Sequence, residues 1–432
     1  MESRPGPATI ARMDISHVYG LRLLTRERGR TRLAVAAAVG ALLVYLVRAV
    51  DQIARLDVSN DYIFYRRAAL GLANGSDIYA AFQQACPHAG AACQGFTGYY
   101  IYPPLLAGLM RPLTALSTQA GARVWVVAGH LSLAIALVIV HRAIRELTSV
   151  AAMALLAAAT LVFLPLYENL YFMQVNTFVL ALLALAALVF MIQPSGIGAG
   201  IALGVASVLR VTPVGMGLAL LRSRRALPGV AAFLGTGLLI VAVLALLTPA
   251  MAEYLTTVLP RLAGGTPWVE NQSLPAALAR AAALSAGNPF MLRFLAVAPL
   301  LFTAAIIFIT FVRSRGIHGR RGRAAVFAAF LAAIPIYASV TEQHHLVAEL
   351  LVYALLAPSL IPGSRPWWLA VVAYPFLWIS HDDPLRWALG IPGPQGDYAL
   401  AALMMLPFNL IGMFLLWLSC QETLRRGRSW PP

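Results

Sequence analysis

The sequence predicts an all-α polytopic membrane protein, a bundle of about 12 transmembrane helices whose first external loop carries helices on the membrane surface. Of its 432 residues, 60% are hydrophobic and only 11% are charged, which is far from the composition of a soluble protein. Apolar stretches of about twenty residues recur along the chain, separated by short loops with Pro, Gly or Arg. Because lipid offers no partner to unpaired backbone groups, these stretches are expected to be helices.

The formal net charge of +15 reflects arginines gathered in a few loops between apolar stretches. This distribution orients a membrane protein and does not indicate a nucleic-acid partner. The arginines of residues 22–32 place the N-terminus in the cytoplasm. No small-residue cleavage site follows the apolar run 33–50, so we expect a retained first span. Residues 51 to about 100 then lie outside.

The remaining arginine-rich loops set the direction of each later crossing. We expect residues 1–432 to form a single membrane domain, since neither terminus has the pattern of a separate one. The predicted later spans are about 121–141, 149–166, 171–192, two segments within 197–222, 227–248, 289–312, three crossings between Arg323 and the loop 381–384, and about 398–418.

Residues 197–222 are predicted to be a broken helix pair rather than one span. A single crossing would separate Arg222 from the loop at Gln193, although both belong on the cytoplasmic side. Two segments that meet at Arg210-Val211-Thr212-Pro213 resolve this conflict, because proline breaks a helix and an arginine belongs near water. Arg210 then faces the external side.

The external loop 51–120 is predicted to carry interfacial helices. Tyr62, Tyr65, Ala69 and Leu72 recur at helical spacing beside Arg66, as in a helix along a membrane surface. The next motif, Tyr102-Pro103-Pro104-Leu105, suits an interfacial turn. Cys86 and Cys93 lie close together in this external loop, where a disulfide could form.

This topology gathers polar residues on one face, and such residues at membrane depth usually line cavities. Asp61 is a general base, or it is a solvated loop carboxylate or a helix cap. Arg210 either holds a lipid phosphate or caps a half-helix. The residues gathered are Asp61, Glu168, Asn169, Gln174, Asn176, Arg210, Asn271, His344 and His345.

The other polar candidates also have two interpretations. His344 or His345 could donate a hydrogen bond to a phosphate or stabilise the leaving group. We expect at most one of these neighbours to face the cavity. Gln174 and Asn176 can bond sugar hydroxyls or join helices. No HxxH or HExxH spacing occurs, so no metal site is predicted, although a divalent metal is not excluded.

Four motifs between residues 57 and 213 resemble a known family. They are Asp61-Tyr62 with Tyr65 followed by Gly75 and Asp77-Ile78-Tyr79, then Tyr102-Pro103-Pro104-Leu105, Met173-Gln174-Val175-Asn176 and Leu209-Arg210-Val211-Thr212-Pro213. Their order resembles the GT-C glycosyltransferases, and within them family 87, the polyprenol-phosphate-mannose-dependent α-mannosyltransferases of actinobacteria. Met173 stands where the family usually has Gly, and Arg210 where it usually has Lys.

The resemblance implies inverting sugar transfer from a polyprenyl-phosphate donor to an outer-leaflet glycolipid, such as a phosphatidylinositol mannoside. Asp61 would be the general base, and no redox or nucleotide cofactor is implied. The site would face the periplasmic side of a bacterial plasma membrane. Arg210, His344, His345 and Arg66 are the expected ligands of the donor phosphate, and Tyr62, Tyr65, Tyr102, Glu168, Gln174, Asn176 and Asn271 those of the substrates.

Three alternatives remain at this stage, and one of them is a lipid-binding assembly subunit without catalysis. Arabinofuranose transfer by the same fold is a close variant. A transporter or flippase of lipid-linked sugars would also accommodate a broken helix bearing Arg210. A transporter predicts two related halves, whereas the external loop of about fifty residues has no counterpart in the second half.

Overall fold

A computed structural model describes residues 15–56, 58, 60–86, 98–193, 195–223, 225–266, 270–283, 289–379 and 407–427, and these residues form helices and loops without a strand. Cys93, the predicted loop 381–384 and residues 398–406 of the last predicted span lie outside the described residues. Cys86 is disulfide-bonded. Cys420 is free and buried.

The chain forms nineteen described α-helices, joined in places by short 3-10 or π segments. They are α1 Ile15–Ala54, α2 Tyr62–Ala73, α3 Ala80–Ala85, α4 Pro104–Met110, α5 Thr118–Ile144, α6 Val150–Leu161, α7 Leu164–Tyr171, α8 Asn176–Ile192, α9 Ile197–Leu209, α10 Gly217–Leu220, α11 Ala226–Leu247, α12 Ala250–Glu253, α13 Leu259–Ala263, α14 Leu274–Ala283, α15 Pro289–Arg313, α16 Gly319–Tyr337, α17 Glu349–Leu356, α18 Arg365–Trp378 and α19 Phe408–Gly427.

Three helices of the described chain are long and apolar enough to span a membrane, namely Glu27–Ala54 of α1, α5 and α11. A fourth span is formed if α6 and α7, bent by 43° against each other, count as one. Shorter apolar helices add Asn176–Ile192, Ile197–Leu209 and Val297–Arg313. The protein is a multi-pass membrane protein, and the count of twelve crossings stays a prediction.

The tyrosine face of α2 packs against protein. Tyr62 and Ala69 are fully buried and Tyr65 is nearly so. A Cβ added at Gly121 of α5 would lie 2.2 Å from the Tyr62 hydroxyl oxygen, so glycine permits this approach. The helical spacing was correctly predicted, and α2 packs against α4, against the 3-10 segment Arg111–Ala115 and against α5.

Proline starts the helix that follows. Pro104 occupies the first position of α4, where its missing N–H has no intrahelical partner to lose. The Tyr100 hydroxyl donates to the Pro103 carbonyl at 2.7 Å and accepts the Ala107 N–H at 2.9 Å. The Tyr-Pro-Pro-Leu motif therefore fixes a turn into a helix and holds Tyr102 in the core.

The chain breaks where the prolines and polar residues predict. Helix α9 ends at Leu209, and Arg210 is extended, with φ −151° and ψ 129°. A 3-10 segment, Thr212–Met216, follows it. The predicted start of a span at about 171 is wrong, because α7 continues to Tyr171 and Met173 adopts φ 55°, so that α8 begins only at Asn176.

Groups that the topology assigns to the same side meet at the same end of the bundle. Arg320 pairs with Glu146 at 2.6 Å, joining two loops predicted to be cytoplasmic. At the other end, the Asn60 side chain donates to the Tyr171 carbonyl at 2.6 Å. There too, the Thr341 N–H donates to the Asn271 Oδ1 at 2.9 Å. The functional candidates lie at this second end.

Candidate functional site

A cavity of about 370 Å³ opens at the end of the bundle where the predicted external segments converge. Its size lies within the range of roughly 300–1,000 Å³ that is usual for small-molecule sites. Both apolar and ionisable side chains line it. The polar lining includes Asp61, Tyr102, Glu168, Gln174, Arg210, Tyr254, Glu270, Tyr337, Glu342, His344 and His345.

Gln174 joins the first external loop to the start of α8. Its Oε1 accepts hydrogen bonds from the hydroxyls of Tyr65 at 3.0 Å and Tyr102 at 2.7 Å. Its Nε2 donates to the Asp61 Oδ2. Because both tyrosine hydroxyls occupy the carbonyl oxygen, the amide nitrogen is directed at Asp61. Gln174 therefore orients the predicted base.

The backbone turn before Gln174 explains why the resembled family usually has glycine at the position of Met173. Met173 is the described non-glycine residue with positive φ, at 55°, a region that glycine enters without strain. The indole N–H of Trp125 donates to the Met173 carbonyl at 2.7 Å and holds the turn. The glycine usual in the resembled motif therefore matches the backbone geometry, which here is reached with a buried methionine.

Asp61 is the N-cap residue of α2, yet its side chain makes no capping hydrogen bond. The carboxylate is directed to Gln174 and the cavity instead. Burial raises the pKa of Asp61 to about 6, against the opposing effects of the Gln174 hydrogen bond and the Arg210 charge. A carboxylate with this pKa is suited to accept a proton near neutral pH.

Arg210 lies in the same cavity, at the break after α9. Its guanidinium carbon is 5.8 Å from the centre of the Tyr102 ring. One terminal nitrogen is buried without a hydrogen-bond partner among the described residues. The guanidinium thus retains an unused donor beside Asp61, as an anion-binding group requires.

Both histidines line the cavity, so the expectation that at most one faces it is wrong. Their ring centres are 4.3 Å apart at an angle of 88°. Residues 342–345 all line the cavity, and the chain enters a 3-10 segment here. They do not lie on a long helix, in which consecutive side chains would point in different directions. Neighbouring side chains can therefore reach the same space.

Glu342 is a cavity residue that the sequence reasoning did not include among the site residues. Burial raises its pKa to about 8, and the charges of Glu270 and Asp61 act in the same direction. Its Oε2 lies 3.5 Å from the His344 Nε2. The signal in the sequence was a carboxylate two positions from a histidine pair in a predicted external loop.

Ligand atoms of Glu342, His344 and His345 lie within 4.8 Å of one another and could together hold a divalent cation. The His345 Nδ1 already accepts the backbone N–H of Glu342 at 3.1 Å. In neutral His345 the other ring nitrogen then carries the proton, so the ring has no free lone pair for a shared ion while this hydrogen bond is made. The predicted absence of a metal stays a prediction.

Several predicted ligands do not line this cavity. Tyr62 packs against Gly121, and the Tyr65 hydroxyl donates a hydrogen bond to Gln174 without lining the cavity. Arg66 donates to the carbonyls of Thr114 and Leu116 at 3.2 and 3.1 Å, because α2 lies beside the 111–116 turn, so its expected phosphate role is not supported. The remaining displaced residues are Asn176 and Asn271.

The side chains of the two asparagines bond to backbone and do not line the 370 Å³ cavity. The Asn176 side chain donates to the His344 carbonyl at 3.0 Å and so positions the histidine segment. Asn271 is fully buried and donates to the carbonyls of Thr266 and Ser339 at 3.0 and 2.8 Å. These contacts hold loops together, and the expected substrate contacts of both residues stay a prediction.

Comparison with known proteins gives one family match and remote structural similarity. Residues 100–340 match the model of glycosyltransferase family 87. A crystal structure of ArnT from Cupriavidus metallidurans bound to undecaprenyl phosphate is 14% identical, with a TM-score of 0.43, and covers 89% of this chain and 76% of that chain. Its apo state is 13% identical, with a TM-score of 0.43, and covers 90% and 77%. No curated protein matches the chain.

Proposed function

The chain belongs to glycosyltransferase family 87, and from this premise we propose that it transfers mannose from a polyprenyl-phosphate donor to a hydroxyl of an outer-leaflet glycolipid. The observation that carries the proposal is the pairing of Asp61 with Arg210 in one cavity. A proton acceptor and a free phosphate-binding group are the two functions that this transfer needs.

Arg210 binds the donor phosphate in this mechanism. Its buried terminal nitrogen has an unused donor, and its planar guanidinium suits phosphate oxygens. His344 or His345 donates a further hydrogen bond to the same phosphate. These contacts strengthen as negative charge builds on the departing phosphate, so they favour the transition state over the bound donor.

Asp61 takes the proton from the acceptor hydroxyl. The acceptor oxygen forms a bond to the anomeric carbon as the bond from that carbon to the phosphate oxygen breaks, and the electron pair leaves with the polyprenyl phosphate. Attack opposite the leaving group inverts the anomeric configuration. Gln174 holds the carboxylate in place, and Tyr65 and Tyr102 fix Gln174.

The acceptor class follows from the family resemblance and the membrane setting. A polyprenyl donor remains in the bilayer, so an acceptor that is itself a lipid meets it at the membrane surface. We assign a glycolipid of the phosphatidylinositol mannoside type and place the cavity on the periplasmic side. This orientation agrees with the grouping of Asp61, Asn271 and Glu342 at the end opposite Arg320.

A transfer assay with the purified protein in lipid tests the proposal. Labelled mannose and arabinofuranose on polyprenyl phosphate are offered in parallel with a phosphatidylinositol mannoside acceptor. We expect labelled product with mannose, of anomeric configuration opposite to the donor. Product only with arabinofuranose would replace the sugar assignment. Movement of donor across a sealed bilayer without a product would favour a flippase.

A further inference from the structure

A second cavity, of about 270 Å³, lies behind the wall that carries Asp61. It is lined by the outer part of α1, by His130 of α5 and by Tyr167 of α7. The proposed transfer mechanism uses none of these side chains. This second cavity nonetheless shares two stretches of chain with the reaction cavity.

The shared wall is one chain segment thick at two places. Asp61 lines the reaction cavity, and its neighbour Asn60 lines the second cavity. Likewise, Gln174 lines the reaction cavity and its neighbour Met173 lines the second cavity. Because neighbouring Cα atoms are about 3.8 Å apart, one stretch of backbone separates the two cavities at each of these places.

The polar groups of the second cavity suit an anion. The Arg48 guanidinium lies 5.1 Å from the centre of the Tyr167 ring. The Tyr45 hydroxyl lies 2.6 Å from the His130 Nδ1, whereas the His130 Nε2 is buried without a hydrogen-bond partner in the described part of the chain. Arg55 pairs with Asp51 at 2.9 Å, which offsets its charge, and Arg48 is the second arginine that lines this cavity.

The cavity also borders a lipid-facing surface. Helix α1 is one of the candidate spans, and little of it is buried within the protein. The side chains of Leu43, Val47 and Val50 next to Arg48 are 59%, 70% and 66% exposed. Acyl chains can lie along these residues while a phosphate at the head of the lipid meets Arg48.

We propose that the second cavity binds the phosphodiester headgroup of the lipid-linked acceptor, with Arg48 and the His130 Nε2 as its ligands. Its glycan then reaches over the wall at Asn60 to Asp61, while the donor occupies the reaction cavity. The two substrates thus approach Asp61 from opposite sides of one chain segment. This inference rests on the proposed transferase function and assigns its acceptor side.

Kinetics and lipid binding test the assignment together. Arg48→Gln and His130→Gln are compared with Arg123→Gln, an exposed arginine of α5 that lines neither cavity. We expect both cavity variants to raise the acceptor KM about tenfold, the effect of losing about 1.4 kcal/mol, and to leave the donor KM unchanged. Arg48→Lys should restore part of the loss, and Arg123→Gln should behave as wild type.

The binding arm uses nanodiscs of phosphatidylcholine with a minor fraction of phosphatidylinositol, and native mass spectrometry counts the phosphatidylinositol retained. We expect retention by wild type and Arg123→Gln and loss in Arg48→Gln. Loss of retention with an unchanged acceptor KM would show a structural lipid and overturn the acceptor assignment. Equal retention by all variants would overturn the site itself. If the wild type transfers no sugar, the proposed function is refuted. If the wild type is active but the cavity variants keep its acceptor KM, the acceptor assignment alone is refuted.

Discussion

Two buried carboxamides that share a predicted role are used differently in this molecule. Among the described residues, the side-chain amide of Gln174 bonds to other side chains, namely Asp61, Tyr65 and Tyr102. Asn271 bonds to backbone, donating to two carbonyls and accepting the N–H groups of Thr341 and Ser273 at 2.9 and 3.2 Å. Gln174 therefore positions a reactive group, and Asn271 holds loops together.

The comparison shows that residue type and burial do not identify a substrate ligand. An amide such as that of Asn271, whose two donors and two acceptor positions all bond to backbone, has none left for a ligand. A side chain that orients an ionisable neighbour in a cavity contributes to chemistry even without touching substrate. Each prediction below breaks one of these two arrangements or measures the difference between them.

Asp61→Asn should have the largest effect on transfer. It replaces the proton acceptor beside Gln174 by an amide and lowers kcat by about 10²- to 10⁴-fold, the usual contribution of general base catalysis. Donor affinity should stay within a factor of about two, because Asp61 holds no phosphate. Transfer by the purified variant and equilibrium binding of labelled donor are the measurements. Asp77→Asn, in the same external loop, is the control, and wild-type turnover in Asp61→Asn would remove Asp61 as the base.

Arg210→Ala should act mainly on the donor. Loss of a charged hydrogen-bond donor from a buried site removes about 1.5–3 kcal/mol, so the donor KM should rise about 10- to 100-fold. Arg210→Lys should recover part of the affinity. Arg66→Ala is the matched control, because Arg66 contacts two carbonyls outside the cavity. Equal donor KM values for Arg210→Ala and Arg66→Ala would return Arg210 to a structural role.

The pH profile of kcat/KM should show an acidic limb at the pKa of Asp61, about 6. The base acts when deprotonated, so activity is present above this pH and falls about tenfold for each unit below it. Gln174→Leu removes a hydrogen bond that lowers this pKa and should move the limb to higher pH. An unmoved limb in Gln174→Leu would mean that Gln174 does not control the titrating group.

Asn271→Ala should reduce stability and spare the chemistry. It leaves buried carbonyl and N–H groups of the 266–273 and 339–341 loops unpaired, at a cost of at least about 2 kcal/mol. Thermal unfolding followed by tryptophan fluorescence should show a lower midpoint. The kcat of the folded fraction, measured at low temperature, should equal that of wild type. A lower kcat without a change in midpoint would make Asn271 a substrate ligand.

Met173→Gly should have the smallest effect. Glycine removes the strain of positive φ, about 1–2 kcal/mol, and loses the burial of the methionine side chain, about 1.5–3 kcal/mol, so the terms largely cancel. Met173→Ala keeps the strain and also loses the burial. Unfolding midpoints should therefore fall more for Met173→Ala than for Met173→Gly. The reverse order would show that the backbone strain at Met173 does not govern this site.

Local signals explain which parts of the fold were predictable. Hydropathy located the helices, because a stretch without charge must be buried or face lipid wherever it lies. Proline located the turn at Tyr102 and the break at Arg210, because proline lacks an N–H and restricts the residue before it. The end of α7 at Tyr171 was missed, since the turn at Met173 depends on packing with Trp125.

Some features of the candidate site were likewise predictable from the sequence, and others were not. The sequence alone determined an all-helical membrane protein with Asp61 and Arg210 as its principal polar candidates, through composition, prolines and spaced motifs. The tertiary structure decided how Gln174, 113 positions from Asp61, orients the carboxylate, and it added Glu342. It also showed that the side chains of Arg66 and Asn271 donate hydrogen bonds to backbone carbonyls. Hydrogen-bond partners far apart in the chain meet only through packing, so no local pattern records them.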